Sequence, residues 1–171
     1  TIAPNDSVAR FTGLGVKVIE ASARFIAPDL VEAGSAQIRA RRFIIATGSH
    51  ALVPPISGLR DTPFLTNENI FDLTQCPSHL IVIGAGPIGL ELAQAFLRLG
   101  AKVSVIEAAQ ALAKDDPECA SIIIDALREE GVTILTQTKV TDVSGVAGDI
   151  SVSIETQGDK DRITGSHLLI A

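Results

Sequence analysis

The spacing of apolar residues changes along the chain, and each change predicts a different kind of element. Over residues 16–47 apolar and polar positions alternate in short runs, at 16–19, 23–26, 30–32, 37–39 and 43–46, separated by Pro28-Asp29 and Gly34-Ser35. Runs of period two bounded by turn residues predict an antiparallel β-meander. Ahead of it, Val8, Phe11 and Leu14 stand at helical spacing, so residues 6–14 predict the closing turns of a helix that Gly13 or Gly15 ends.

Residues 50–78 read as a linker, rich in turn signals at Pro54-Pro55, Gly58, Pro63 and Pro77, with one short helical candidate at 67–73 behind Thr66 as N-cap. Beyond it the apolar run 80–83 predicts a buried strand. Residues 87–99 predict a helix with Ile88, Leu92, Phe96 and Leu99 on one stripe, and 102–106 a second strand, together a right-handed βαβ unit. Asp116 and Pro117 open a second helix that Gly131 stops, and 132–135 supplies a third parallel strand. From Lys139 short strands return at 140–143, 150–155 and 162–164, with Asp159–Arg162 as a solvated hairpin turn. A β-meander thus replaces the third crossover helix before a last apolar strand at 168–171.

Composition narrows the class. With 171 residues, 46% of them apolar and 20% charged, the chain makes one domain plus a piece of a second, and is not disordered. A net charge of −6, from 14 basic against 20 acidic residues, offers no footprint for a nucleic acid backbone. The longest uncharged run, 80–90, is far short of the ~20 residues that cross a bilayer, so no membrane partner is expected. The chain contains no Met and opens at Thr1 without a leader pattern, which reads as a piece of a longer cytoplasmic protein. Cys76 and Cys119 lack any C-x-x-C or metal-ligand spacing and read as reduced thiols.

The candidate chemistry lies where the first parallel strand meets its helix, at Gly84-Ala85-Gly86-Pro87-Ile88-Gly89. This fits G-x-G-x-x-G: Gly84 permits a tight turn, Gly86 lets a pyrophosphate approach the backbone, and Gly89 lets helix and strand pack closely. Pro87 needs no N–H at the first helical position, and the helix N-terminus offers unpaired donors to phosphate. Glycines that serve packing alone would give the same local pattern, but Glu107 ends the second strand where a dinucleotide fold places an acid for the adenosine ribose diol. That carboxylate repels a 2′-phosphate, and Ala108-Ala109-Gln110 supplies no cation, so NAD(H) is favoured over NADP(H). The fold class expected is α/β: a Rossmann-type domain at 79–171 with a parallel sheet and a β-meander crossover. Glu91, in the first helical turn, either complements the helix dipole or contacts the nicotinamide end.

These residues resemble the class I pyridine nucleotide-disulfide oxidoreductases, closest to the dihydrolipoamide dehydrogenase and mercuric reductase branch. The resemblance rests on Phe43-Ile44-Ile45-Ala46-Thr47-Gly48-Ser49, on Val53-Pro54-Pro55-Ile56 with Gly58-Leu59, on residues 80–93, on 97–107 and on Asp115-Asp116-Pro117-Glu118. It implies that residues 1–49 are the remnant of an FAD domain, with Thr47 and Gly48 on the FAD side, and that FAD is bound by the longer protein. It also implies that Glu91 reaches the nicotinamide carboxamide and that Val140 lies against adenine. Pro87 replaces a Tyr that some relatives swing over the flavin. The family's first glycine-rich turn, its C-x-x-x-x-C pair and its interface domain have no counterpart here, so no catalytic residue is expected within the chain. Its partners would be the dinucleotide and the rest of its own FAD and interface domains, in a homodimer.

Two other classes stay open. One is a stand-alone NAD(H)-binding or sensing module; the other is an S-adenosylmethionine-dependent methyltransferase, whose turn usually reads G-x-G-x-G. His50, His79 and His167 are isolated beside strand ends and read as solvated or capping groups.

Overall fold

The computed structural model describes residues 7–171, which form two compact units divided between Gly48 and Ser49. Asp6, the first residue of the stretch expected to be helical, lies outside the described residues.

In the first unit, α1 (Val8–Gly13) is capped by Ser7, whose Oγ accepts the Arg10 N–H at 3.3 Å. Three antiparallel strands follow in sequential order, β1 (Ala23–Ala27), β2 (Leu30–Ala33) and β3 (Ala36–Arg39). The turns fall at Pro28-Asp29 and Gly34-Ser35, as the turn chemistry requires. Two expected strands are absent: residues 16–19 and 43–46 form no ladder. A β-branched run needs a pairing edge to become a strand, and here Ile44 and Ile45 stand 94% and 72% exposed. Only the Phe43 ring is engaged, edge-on to Phe25 with ring centres 4.9 Å apart.

The second unit is built on a parallel sheet of β4 (His79–Ile83), β5 (Lys102–Ile106), β6 (Thr133–Leu135) and β10 (His167–Ile170), in the order β10-β4-β5-β6. On one face lie α2 (Pro87–Arg98) and α3 (Pro117–Glu130). On the other lies an antiparallel meander of β7 (Thr138–Val146), β8 (Asp149–Thr156) and β9 (Asp159–Gly165).

Strand alternation divides the sheet between two cores. Leu80, Val82, Val103, Val105, Ile134 and Leu169 pack under the helices, while Ile81, Ile106, Leu168 and Ile170 pack against Val143, Ile150, Val152 and Ile154 of the meander. Each fully buried aliphatic side chain contributes ~2 kcal/mol of transfer free energy, so the order of layers follows from the alternation. The helices are joined at their ends by Glu130, which accepts from Arg98 Nε and Nη2 and from Gln94 Nε2 at 2.7–2.9 Å.

Three boundaries differ from the sequence pattern. The stretch read as a linker is part of this unit: Leu59 and Ile70 are fully buried. Leu65 also covers the free edge of β10, donating to Leu168 and accepting from Ile170 at 2.7 and 2.8 Å. The helix expected at 67–73 shrinks to one 3₁₀ turn, Ile70–Asp72. There Thr66 Oγ1 accepts the Glu68 N–H as an N-cap does, but the Asp72 and Leu73 N–H groups then bond the carbonyls of Asn69 and Ile70, three residues back, so the turn closes as 3₁₀. The last hairpin turns at Gln157-Gly158, both with positive φ (55° and 97°), rather than over Asp159–Arg162, which belong to β9. Two left-handed residues match the twist of a two-residue hairpin.

Candidate functional site

Strands β4, β5 and β10 end together, and the glycine-rich turn lies over their carboxyl ends. The three glycines differ as their steric environments demand. Gly84 has φ 110°, and a Cβ there would run into the Ala171 carbonyl; one on Gly89 would run into the Gly84 carbonyl. At Gly86 nothing lies within 4 Å of where a Cβ would be, so the space over this peptide is open. Pro87 occupies the first helical position, and no side chain caps the α2 N-terminus. At α3, by contrast, Asp116 accepts from the Glu118 and Cys119 N–H groups. An uncapped helix end beside an open glycine presents N–H donors and a partial positive charge to an anion.

Glu107 stands directly beyond β5 with its backbone fixed on both sides: its N–H donates to Leu135 at 2.8 Å and its carbonyl accepts from Thr138 at 3.0 Å. Its carboxylate accepts the Ala85 N–H at 3.0 Å on one oxygen and the Ala109 N–H at 2.8 Å on the other. A carboxylate has about four acceptor positions, so about two stay available to a ligand.

Gly84, Ile88 and Glu107 open on a cleft of about 610 Å³, lined also by Ala108, Ile83, Ile106 and Ile170, and on its outer wall by His50, Pro54 and Asn67. The outer wall was not visible in the sequence, because it comes from the stretch read as a linker and carries no motif. His50 Nδ1 lies 3.0 Å from Glu68 Oε1. That hydrogen bond, helped by one from the Ala51 backbone, holds the Glu68 carboxyl below its ordinary value.

The other expected site residues are distributed differently. Pro87 and Glu91 lie on the side of α2 that faces α3, lining a separate groove of about 540 Å³ floored by Leu90, Leu112 and Leu127, with Ile123 exposed beside it. Val140 is buried among the meander core residues and does not line the cleft. Thr47 and Gly48 are exposed at the end of the first unit, Gly48 with φ 72°. Cys76 and Cys119 are both exposed free thiols. Among the described residues no group of three His, Cys, Asp or Glu side chains could hold a metal ion, and no helix is long and apolar enough to cross a membrane.

The family model described as pyridine nucleotide-disulphide oxidoreductase matches residues 4–171. The chain belongs to that family. Among this family's members, a mercuric reductase of Bacillus cereus is 38% identical over 159 residues, and one of Streptomyces lividans 33% identical over 162. Each alignment covers 92% of this chain, but only 25% and 34% of the respective relative. In structure the chain is similar to the HOCl-induced flavoprotein disulfide reductase RclA from Escherichia coli, solved as a Cu(II) complex. The TM-score is 0.71 at 31% identity, over 91% of this chain and 35% of that one. The chain therefore spans a quarter to a third of the length of these oxidoreductase relatives.

Proposed function

We propose that the second unit binds NAD(H) at the carboxyl ends of β4 and β5, within a longer FAD-dependent oxidoreductase to which residues up to about Ser49 contribute part of the FAD domain. In such an enzyme the bound nicotinamide supplies hydride to the flavin or receives it back. The observation that carries the reading is the combination of an open Gly86 at an uncapped helix N-terminus with a Glu107 carboxylate held by two backbone N–H groups.

Each residue then has a definite task. The amides of the first α2 turn receive the pyrophosphate, and the open face of Gly86 lets it approach. Glu107, fixed by Ala85 and Ala109, accepts the two ribose hydroxyls on its remaining acceptor positions. The same carboxylate excludes a 2′-phosphate, and no Lys or Arg lines the cleft to neutralise one. NAD(H) is therefore preferred over NADP(H). The exposed Ile44 and Ile45, next to Thr47 and Gly48, support a place for the first unit against further apolar structure of the longer protein. The resemblance assigns Glu91 to the nicotinamide end; the side chain lines the groove toward α3 and not the cleft of Glu107.

The test is flavin reduction by the longer protein containing this chain. Rapid mixing with NADH should bleach the flavin absorbance, and NADPH should do so far more slowly at equal concentration. Equal rates with the two, or no flavin at all, would count against the proposal. The stand-alone module predicts nucleotide binding without flavin.

A further inference from the structure

The cleft over the strand ends has a polar edge on either side of the glycine-rich turn. In the sheet order β10-β4-β5-β6, Glu107 stands past the end of β5 and the turn past the end of β4. Asn67 belongs to the next strand end, that of β10. Leu65 forms a parallel bridge with Leu169 on the edge of β10 away from β4, so the chain runs on from Leu65 in the strand's own direction and brings Asn67 into the cleft lining with Ile170 and Ala171. Ile83, Ile106 and Ile170 line the cleft between these two edges.

The turn that carries Asn67 is held on both sides. Leu65 is bonded to β10, and Ile70 is fully buried. Between them the Thr66 N–H donates to Asn69 Oδ1 at 2.8 Å, and the Thr66 carbonyl accepts from Asn69 and Ile70 at 3.3 and 3.0 Å. The Asn69 side chain is therefore engaged by the turn itself. Asn67 is half-buried, yet among the described residues its side-chain amide has no hydrogen-bond partner. The other polar side chains of that wall, Ser49 and His50, are exposed, and His50 is paired with Glu68. A fixed backbone that carries a free amide donor and acceptor into a cleft is suited to orienting a polar ligand.

We propose that Asn67 hydrogen-bonds the ribose on the nicotinamide side of the bound dinucleotide, an inference that rests on the NAD(H) reading above. The order of the strands sets the order of the ligand's parts. With the adenosine ribose on Glu107 and the pyrophosphate on the first amides of α2, the second ribose falls on the far side of the turn, over the end of β10. Three strand spacings, about 14 Å, separate β5 from the segment alongside β10, so Glu107 and Asn67 hold opposite ends of the cleft. An amide suits a ribose diol because each hydroxyl both donates and accepts, as the amide does. It also places no second negative charge near the pyrophosphate. Asn67 thus sets the direction in which the nicotinamide half leaves the turn, while Glu107 holds the adenosine half.

The experiment titrates the 171-residue chain and its Asn67→Ala variant with ADP, ADP-ribose and NADH by calorimetry. ADP carries the adenosine ribose and the pyrophosphate alone; the other two add the second ribose. The variant should bind ADP as tightly as the parent does, which also shows that it is folded, and should bind ADP-ribose and NADH each about fivefold more weakly. Unchanged binding of all three, or an equal loss that includes ADP, would overturn the contact. A loss confined to NADH would place the contact on the nicotinamide ring and overturn the ribose assignment. Failure of the underlying NAD(H) reading is a different result, no saturable binding of any of the three by the folded parent, and it removes this contact as well.

Discussion

The carboxylate of Glu107 accepts the backbone N–H of Ala85 at 3.0 Å, tying the end of the second parallel strand to the glycine-rich turn that follows the first. The other oxygen holds Ala109 at 2.8 Å, so the acid that would read the ribose is also the group that orders the turn. Glu107→Gln replaces one acceptor oxygen by a donor and breaks one of the two bonds. It should cost about 1 kcal/mol of folding stability and at least about tenfold in NADH affinity, and narrow the gap between NADH and NADPH. Urea unfolding and nucleotide titration of the variant measure the two effects separately.

The three glycines should separate folding from binding. At Gly84 and Gly89 an added methyl meets a backbone carbonyl that cannot move away, and Gly84 also has positive φ. Ala at either position should destabilise the unit by about 1–3 kcal/mol. Gly86 has ordinary backbone, φ −77°, and open space. Gly86→Ala should therefore leave stability within about 0.5 kcal/mol of the parent while filling the space left for pyrophosphate and lowering NADH affinity more than tenfold. Thermal melts alongside binding isotherms for the three variants check the split.

The α3 N-terminus gives a purely structural prediction. Asp116 Oδ1 takes the Glu118 and Cys119 N–H groups at 3.0 and 3.2 Å, ahead of Pro117. Asp116→Ala should lower stability by about 1 kcal/mol, and Asp116→Asn by much less, as read from urea midpoints at constant slope.

His79 sets the acid side of the stability profile. Its folded ring binds a proton less readily than the ordinary value of 6.5 implies, chiefly because of burial. The unfolded state then binds more protons below about pH 6.5, so stability is complete above that pH and falls as pH drops toward the folded value. Urea unfolding between about pH 5 and 7 should show stability rising with pH, and His79→Gln should flatten the slope.

Where local chemistry decides an element, the sequence was sufficient. The glycine-rich turn, the Asp116-Pro117 start and the Gly131 stop, at φ 112°, are each dictated by a few adjacent residues, and β4 and β10 by apolar runs at 80–83 and 168–170. Elements that depend on distant partners were not legible. Residues 16–19 and 43–46 have strand composition but no partner edge, whereas Leu59 and Leu65, in a proline-rich stretch, acquire structure only from the meander and β10. The cleft followed the same rule. Gly84 and Glu107 were marked by spacing, but the wall of His50, Pro54 and Asn67 is assembled by tertiary packing. Val140, which the resemblance set against adenine, is buried in the meander core and does not line the cleft.

The central claim, that Glu107 and the open glycine turn make an NAD(H) site, is tested most directly by titrating the purified 171-residue chain with NADH and NADPH while following nicotinamide fluorescence. Saturable binding of NADH, at least about tenfold tighter than NADPH and lost in Gly86→Ala, is the predicted result. NADPH binding as tight as NADH or tighter, or no saturable binding of either by a folded chain, would contradict it.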